Sequence, residues 1–391
     1  MRVSIIPRVL FVGLLVVVMS SLRSPHVASA GKYTVTGFAT LFGTEDGQFD
    51  FLDRTVAQGI NSSGLVAAHS YMQSDNGSWF VAFTSQDGAA ERLGPEDANS
   101  VVTDLNDVGD VVGYIAPRDD EYRRAKRPVL WKDGKLIELR TLGGDIGTAE
   151  AINSAGDIVG STTIVPGDAA SQTDHAALWR GDDVIDLGGD SEYDSQAYGI
   201  NDNGDVVGSQ FSAESLNNVP FVWNDDEMTF LELPDQLMGG DAISINDDST
   251  IVGSARTEGG NQYPARWIDG EVELLPTLID GGEARPLKIN NAGQIVGYAT
   301  LTDEGPAAGL TAVLWEGDSV IDLNSLMPES SDIKLTIAQD INDAGQIVAG
   351  GNAGGGGETR SFILNPVDQS AARVTTDSVR VPAATLRTWA S

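Results

Sequence analysis

The sequence predicts an all-β chain folded as a seven-bladed β-propeller with four-stranded blades. Three observations predict it. One seven-residue phrase returns seven times at steps of 45, 47, 48, 45, 44 and 52 residues. A second phrase, an apolar run closed by Trp, follows five of these copies by 21 to 26 residues. Tight turns rich in Gly, Asn and Asp split every unit into about four short strand-like runs. Four strands in roughly 40–50 residues mark a propeller blade, whereas strand–helix alternation needs a helical period that this chain lacks. The 45 Gly among 391 residues exceed the usual share of about 7% and agree with many turns.

Residues 1–30 read as a secretory signal peptide. Arg2 and Arg8 give a basic start, Val9 to Met19 is an apolar run of 11 residues, and Ala28-Ser29-Ala30 is a small-residue cleavage site. The run falls short of the roughly 18–25 residues that span a bilayer, and Ser20, Ser21 and Arg23 interrupt it. The mature chain is expected to begin at Gly31, without a membrane anchor.

Residues 31–367 hold the predicted propeller. The first phrase appears as Ile60-Asn61-Ser62-Ser63-Gly64, Leu105-Asn106-Asp107-Val108-Gly109, Ile152-Asn153-Ser154-Ala155-Gly156 and Ile200-Asn201-Asp202-Asn203-Gly204. It continues as Ile245-Asn246-Asp247-Asp248-Ser249, Ile289-Asn290-Asn291-Ala292-Gly293 and Ile341-Asn342-Asp343-Ala344-Gly345. This is a hairpin. Ile ends a strand, and Asn opens a turn that its side chain can bond internally. Gly supplies a positive φ, and an apolar run starts the returning strand. Ser249 replaces Gly in the fifth copy, so that turn is either strained or of another form.

Trp131, Trp179, Trp223, Trp267 and Trp315 end the third strand of their units, with Phe83 and Leu364 expected at the same place in the first and last. Each ends an apolar run, so the series reads as blade packing. A polar turn and a fourth strand follow, as in Val184-Ile185-Asp186-Leu187. The last unit runs out after Ser361 to Pro366, one strand short. Tyr33 to Phe38 is the expected closing strand, with Arg373 to Val381 as its rival. Residues 368–391 lack repeat and pattern and read as a flexible tail.

These phrases, with Leu-Gly-Gly turns and Ala-x-Leu-Trp strands, resemble the extracellular HAF-repeat family. His175-Ala176-Ala177-Leu178-Trp179 and Asp186-Leu187-Gly188-Gly189 carry the resemblance best, and it extends over residues 32–365. It implies an exported repeat protein and transfers no catalytic residue. The motif's His occurs only at His175; Arg127, Val219, Tyr263 and Arg360 take its place elsewhere.

Composition excludes several functions. With 24 basic against 57 acidic residues, the formal charge is −33, which argues against nucleic acid as a partner. The absence of Cys removes disulfides, thiolate metal sites and a Cys nucleophile. No phosphate loop, nucleotide fingerprint or zinc motif occurs. His69 and His175 are lone histidines with no matched constellation of Ser and acid, and read as structural or surface residues.

Function is expected on the propeller face opposite the Asn turns, where the loops vary: Ala116 to Lys126, Thr162 to Asp174, Phe211 to Asn218, Arg256 to Gln262, Leu301 to Leu310 and Asn352 to Glu358. Asp145, Asp190, Asp241 and Glu283 follow Gly-Gly pairs in loops expected between blades, and are candidates for a Ca²⁺ site. Their irregular spacing favours solvated turns, and no other cofactor is implied. Arg118, Arg123, Arg124, Lys126 and Arg127 form a basic patch, read as a solvated loop pairing with Asp119, Asp120 and Glu121. The overall expectation is a secreted, extracellular or periplasmic, monomeric and non-enzymatic binding or scaffold propeller that contacts protein or polysaccharide. The alternative is a polysaccharide hydrolase or lyase with acids at the channel mouth.

Overall fold

A computed structural model describes residues 32–37, 55–74, 77–118, 125–165, 173–188, 192–234, 237–258, 260–302, 309–328, 331–353 and 359–367. The leader, the tail and Arg373 to Val381 lie outside these. The N-terminal strand β1 covers Tyr33–Thr36. Blade one holds β2 (Thr55–Ile60), β3 (Val66–Ser74), β4 (Gly77–Gln86) and β5 (Ala89–Arg92). Blade two holds β6 (Ala98–Leu105), β7 (Val111–Pro117), β8 (Arg127–Lys132) and β9 (Lys135–Glu138). Blade three holds β10 (Gly147–Ile152), β11 (Ile158–Thr163), β12 (Asp174–Arg180) and β13 (Asp183–Asp186). Blade four holds β14 (Ser195–Ile200), β15 (Val206–Ser212), β16 (Asn217–Asn224) and β17 (Glu227–Phe230). Blade five holds β18 (Gly239–Ile245), β19 (Ile251–Arg256), β20 (Gln262–Ile268) and β21 (Glu271–Leu274). Blade six holds β22 (Ala284–Ile289), β23 (Ile295–Thr300), β24 (Leu310–Glu316) and β25 (Ser319–Asp322). Blade seven joins β26 (Ile333–Ile341), β27 (Ile347–Ala353) and β28 (Thr359–Pro366) to β1.

Each blade is a four-stranded antiparallel sheet, and the only described helix is a 3₁₀ turn at Leu323–Leu326. The chain is a seven-bladed β-propeller. Its ring closes as the sequence predicts. β1 runs antiparallel to β28, from Tyr33 opposite Pro366 to Thr36 opposite Ile363, and Val367 N donates to Lys32 O at 2.8 Å.

The core lies between blades, where neighbouring sheets face each other. Leu178 and Leu187 of the third unit pack with Val206, Phe221 and Trp223 of the fourth. The seam repeats this, with Val348 of blade seven against Ile60, Val66 and Phe83 of blade one. Three Trp indoles also donate across the blade boundary. Trp179 Nε1 reaches Arg140 O (2.6 Å), Trp267 Nε1 reaches Glu232 O (2.7 Å) and Trp315 Nε1 reaches Pro276 O (2.8 Å). Leu364 stands opposite Ile347 as Trp179 stands opposite Ile158, which fulfils its expected equivalence. Phe83 does not. Ser85, opposite Val66, holds the Trp position of blade one. Phe83 fills the same interface from two residues earlier on the same strand face.

The repeated turn has one form. In the first copy, Gly64 N donates to Asn61 O (3.0 Å) and Asn61 N to Leu65 O (3.0 Å). Ser249 makes the same bond to Asn246 O (3.0 Å) at a φ of 56°, so the fifth turn is the strained version of the common form. A second device was not foreseen from the sequence. Every innermost strand carries a β-bulge just before its Asn turn, for example between Ala149 and Ala151. The glycine two residues into the second strand packs on this region. A Cβ at Gly160 would meet Thr148 O at 2.0 Å.

Candidate functional site

The Asn turns gather around one mouth of the central channel, and their side chains close a ring. Each Asn Nδ2 donates to the backbone carbonyl of the next repeat's Asn: 61 to 106, 106 to 153, 153 to 201, 201 to 246, 246 to 290, 290 to 342, and 342 back to 61, at 2.9–3.2 Å. The matching Oδ1 atoms accept from backbone N–H groups of their own turns. The next position forms a second tier. Asp107, Asp202, Asp247 and Asp343 each accept a backbone N–H from the preceding blade, at 2.8–2.9 Å. The carboxylates at this mouth therefore serve as inter-blade links.

Below the ring, the bulges line the channel with Gln58, Thr103, Glu150, Tyr198, Ile243, Leu287 and Gln339, around a cavity of about 290 Å³. In blades seven, two and five the position after the bulge reaches the neighbouring blade. Asp340 Oδ2 accepts from Ile60 N (2.8 Å), Asp104 Oδ2 from Ile152 N (3.1 Å), and Ser244 Oγ from Ile289 N (3.3 Å). Lys288 Nζ lies 3.3 Å from Asp104 Oδ1 and 4.0 Å from Asp340 Oδ1. Burial alone would lower the pKa of Lys288, but the two carboxylates more than offset it, and the ammonium is held protonated. Burial pushes the Glu150 carboxyl above the usual range, against a hydrogen bond from Thr148 and the charge of Lys126. Nothing in the sequence marked these channel groups, because each belongs to a single repeat.

The four acids predicted as a partial ring occupy different settings. Asp145 is exposed in the loop before β10, beside Arg127 and Glu138. Asp190 lies outside the described residues. Asp241 is not in a loop, because the Gly239-Gly240 pair continues into β18. Its buried carboxylate is ion-paired with Arg256 and lies 3.9 Å from Arg285. Glu283 precedes β22, with its backbone N–H donated to Thr300 Oγ1 (3.1 Å). Among the described residues, no group of three or more His, Asp or Glu is placed to hold a metal.

The remaining predicted residues have packing partners. His175 is buried, with Nδ1 2.9 Å from both Asp186 carboxylate oxygens. His69 is buried and packs edge-on to Phe80. In the basic patch, Arg118 lies 4.0 Å above the Trp79 ring, Lys126 4.6 Å from the Tyr114 ring, and Arg127 bonds Glu138 at 2.9 Å. Arg123, Arg124, Asp119, Asp120 and Glu121 lie outside the described residues.

Among the described residues, the face opposite the Asn turns carries a concavity in blade two, beside Arg127 and Glu138, and a larger one in blade four. β15 ends there at Ser212, β16 starts there at Asn217 and β17 ends there at Phe230. Between them lies an open, mainly apolar cleft of about 650 Å³, walled by Tyr193, Phe211, Val219 and Phe230. Gln210, Ser212, Glu214 and Ser215 line the rest. This cleft belongs to the loop Phe211 to Asn218, one of those the sequence singled out as variable.

No family model matches the chain, and no curated protein matches it. Solved structures do. The β-propeller domain of the Trilobed protease from Pyrococcus furiosus, described as having an open velcro topology, is similar at a TM-score of 0.53 and 11% identity, over 80% of this chain and 94% of that one. A prolyl endopeptidase gives 0.50 and 9% identity, over 81% of this chain and 50% of that one. The acylaminoacyl peptidase of Pyrococcus horikoshii gives 0.48 and 15%, over 80% and 52%. The likeness is one of fold. This chain spans about half the length of the two peptidases. The HAF-repeat resemblance rests on the motifs alone.

Proposed function

We propose that this protein is an exported, non-enzymatic binding propeller that engages an extracellular partner, protein or polysaccharide, through its variable-loop face. One observation carries the reading: the open apolar cleft lies on that face, away from the Asn ring. The channel groups support it from the other side, since Asp104, Asp340 and the mouth carboxylates hold backbone N–H groups of neighbouring blades. Export is the reading of the leader. The acidic surface favours solubility by self-repulsion, and a monomer is the expected state. Among the described residues, no helix is long and apolar enough to cross a membrane.

The test is capture from culture supernatant and a glycan panel, using the protein recovered from the medium. Expected are Gly31 at its N-terminus by mass spectrometry and a retained partner displaced by loop-face substitutions. Retention that depends only on the Asn-turn face would refute the reading. A second reading, cleavage of a polysaccharide by acids at the channel, draws on Glu150, whose carboxyl burial pushes above the usual range, the direction a general acid needs. Depolymerising activity abolished by Glu150→Gln would establish it in place of the first.

A further inference from the structure

We infer that the cleft of blade four is a saccharide subsite for a neutral or amino sugar; the inference rests on the loop-face reading and names its ligand class. The repeat supplies its own control. The residue four before the blade Trp lies diagonally across from the residue that ends the fourth strand. In blades two, three and six these two make a polar pair: Arg127 with Glu138, His175 with Asp186, and Thr311 with Asp322, each at 2.9 Å. In blade four the pair is Val219 and Phe230, and no polar bond can form. Phe230 is left 52% exposed at the cleft's edge. Packing does not require an exposed Phe there, since blades two, three and six fold with a polar residue at that place and blade five with Leu274, 47% exposed and diagonal to Tyr263.

The second wall is Tyr193, 42% exposed, with its ring centroid 5.9 Å from that of Phe211 at an interplanar angle of 52°. Tilted rings leave faces open for the C–H surface of a sugar ring. Polar groups stand beside them, as sugar hydroxyls require. Ser215 Oγ is shielded from solvent and has no hydrogen-bond partner among the described residues. Glu214 is exposed at the rim. Among the described residues, no Lys or Arg lines the cleft, and the chain carries a net charge of −33. An anionic uronate or sulfated glycan is therefore disfavoured, while a neutral hexose or an amino sugar is accommodated. The cleft is formed by residues of one blade, far short of the roughly 800 Å² per partner of a standard protein interface. A volume of about 650 Å³ is the scale of small-ligand pockets.

The experiment is calorimetric titration of the mature protein with three probes: a cello-oligosaccharide, a chitosan oligosaccharide and polygalacturonate. The expected result is binding of one of the first two and none of the third. Tyr193→Ala and Phe230→Ala should each weaken it roughly tenfold, the scale of one lost aromatic contact. Phe230→Tyr should restore it. Leu274→Ala, at the equivalent exposed place in blade five, should leave it unchanged. Binding of neither neutral nor amino sugar overturns the inference, as does binding indifferent to Tyr193 and Phe230. If a captured protein is then displaced by substitutions in other variable loops, the saccharide inference falls while the loop-face reading stands.

Discussion

At the residue scale, the repeated Asn works twice. Its Oδ1 shapes the turn and its Nδ2 fastens the next blade. The first half was legible in one copy of the phrase, because Asn is a turn residue in any hairpin. The ring was not, because it exists only once seven copies come round an axis. Asn106→Ala should cost about 2–3 kcal/mol, since the buried Asn153 carbonyl and the Asp110 N–H both lose a partner. Urea unfolding checks this, and a loss near zero would show that water replaces the ring. Glu150 gives a pH test. An acid whose folded pKa is raised lends stability below its unfolded value, and that stability is lost as pH rises through the folded value. Glu150→Gln should therefore raise the thermal midpoint at neutral pH and change it little near pH ~4. An equal effect at both pH values would contradict the assignment.

At the element scale, the four-strand unit was legible because its turns are local. Asn, Gly and the Asp-Gly pairs fix chain reversals without reference to the rest of the fold. The place of Ser249 shows this best. It keeps the common turn at a φ of 56°, with Ser249 Oγ 3.0 Å from Asp205 Oδ2. Ser249→Gly should relieve the left-handed strain and stabilise the protein by roughly 0.5–1 kcal/mol, read from urea midpoints. A loss would mean that the Asp205 contact outweighs the strain. The β-bulges were not legible, because a bulge arises from how two strands register and leaves no fixed residue type. Gln58, Thr103, Glu150 and Tyr198 share that position yet share no chemistry. Five blades place a glycine opposite the residue before the bulge, Gly113, Gly160, Gly208, Gly253 and Gly297, where blades one and seven place Ala68 and Ala349. Gly160→Val should destabilise by roughly 3 kcal/mol or more, because Thr148 O, which the new Cβ would meet at 2.0 Å, is backbone.

At the scale of the whole molecule, closure was legible from what the last repeat lacked. The last repeat is one strand short, the sequence offers Tyr33 to Phe38 or Arg373 to Val381 to complete it, and β1 beside β28 realises the first. Tyr33 anchors this strand in the core of blade seven. Deleting residues 31–37 should lower the thermal midpoint by roughly 5–10 °C, and an unchanged midpoint would show that β1 does not hold the ring. The site was less legible than the wheel. Variable loops indicated the face, but the cleft depends on Val219, Phe230 and Tyr193 meeting in space, which no single stretch of the sequence displays. On the proposed reading, the shared positions hold the ring together while the departures of blade four bind a ligand. Hydrogen exchange of the mature protein with and without its oligosaccharide tests that claim most directly. It predicts new protection at residues 192–195, 210–219 and 227–232 and none in the Asn turns; protection confined to the Asn turns and channel would contradict it.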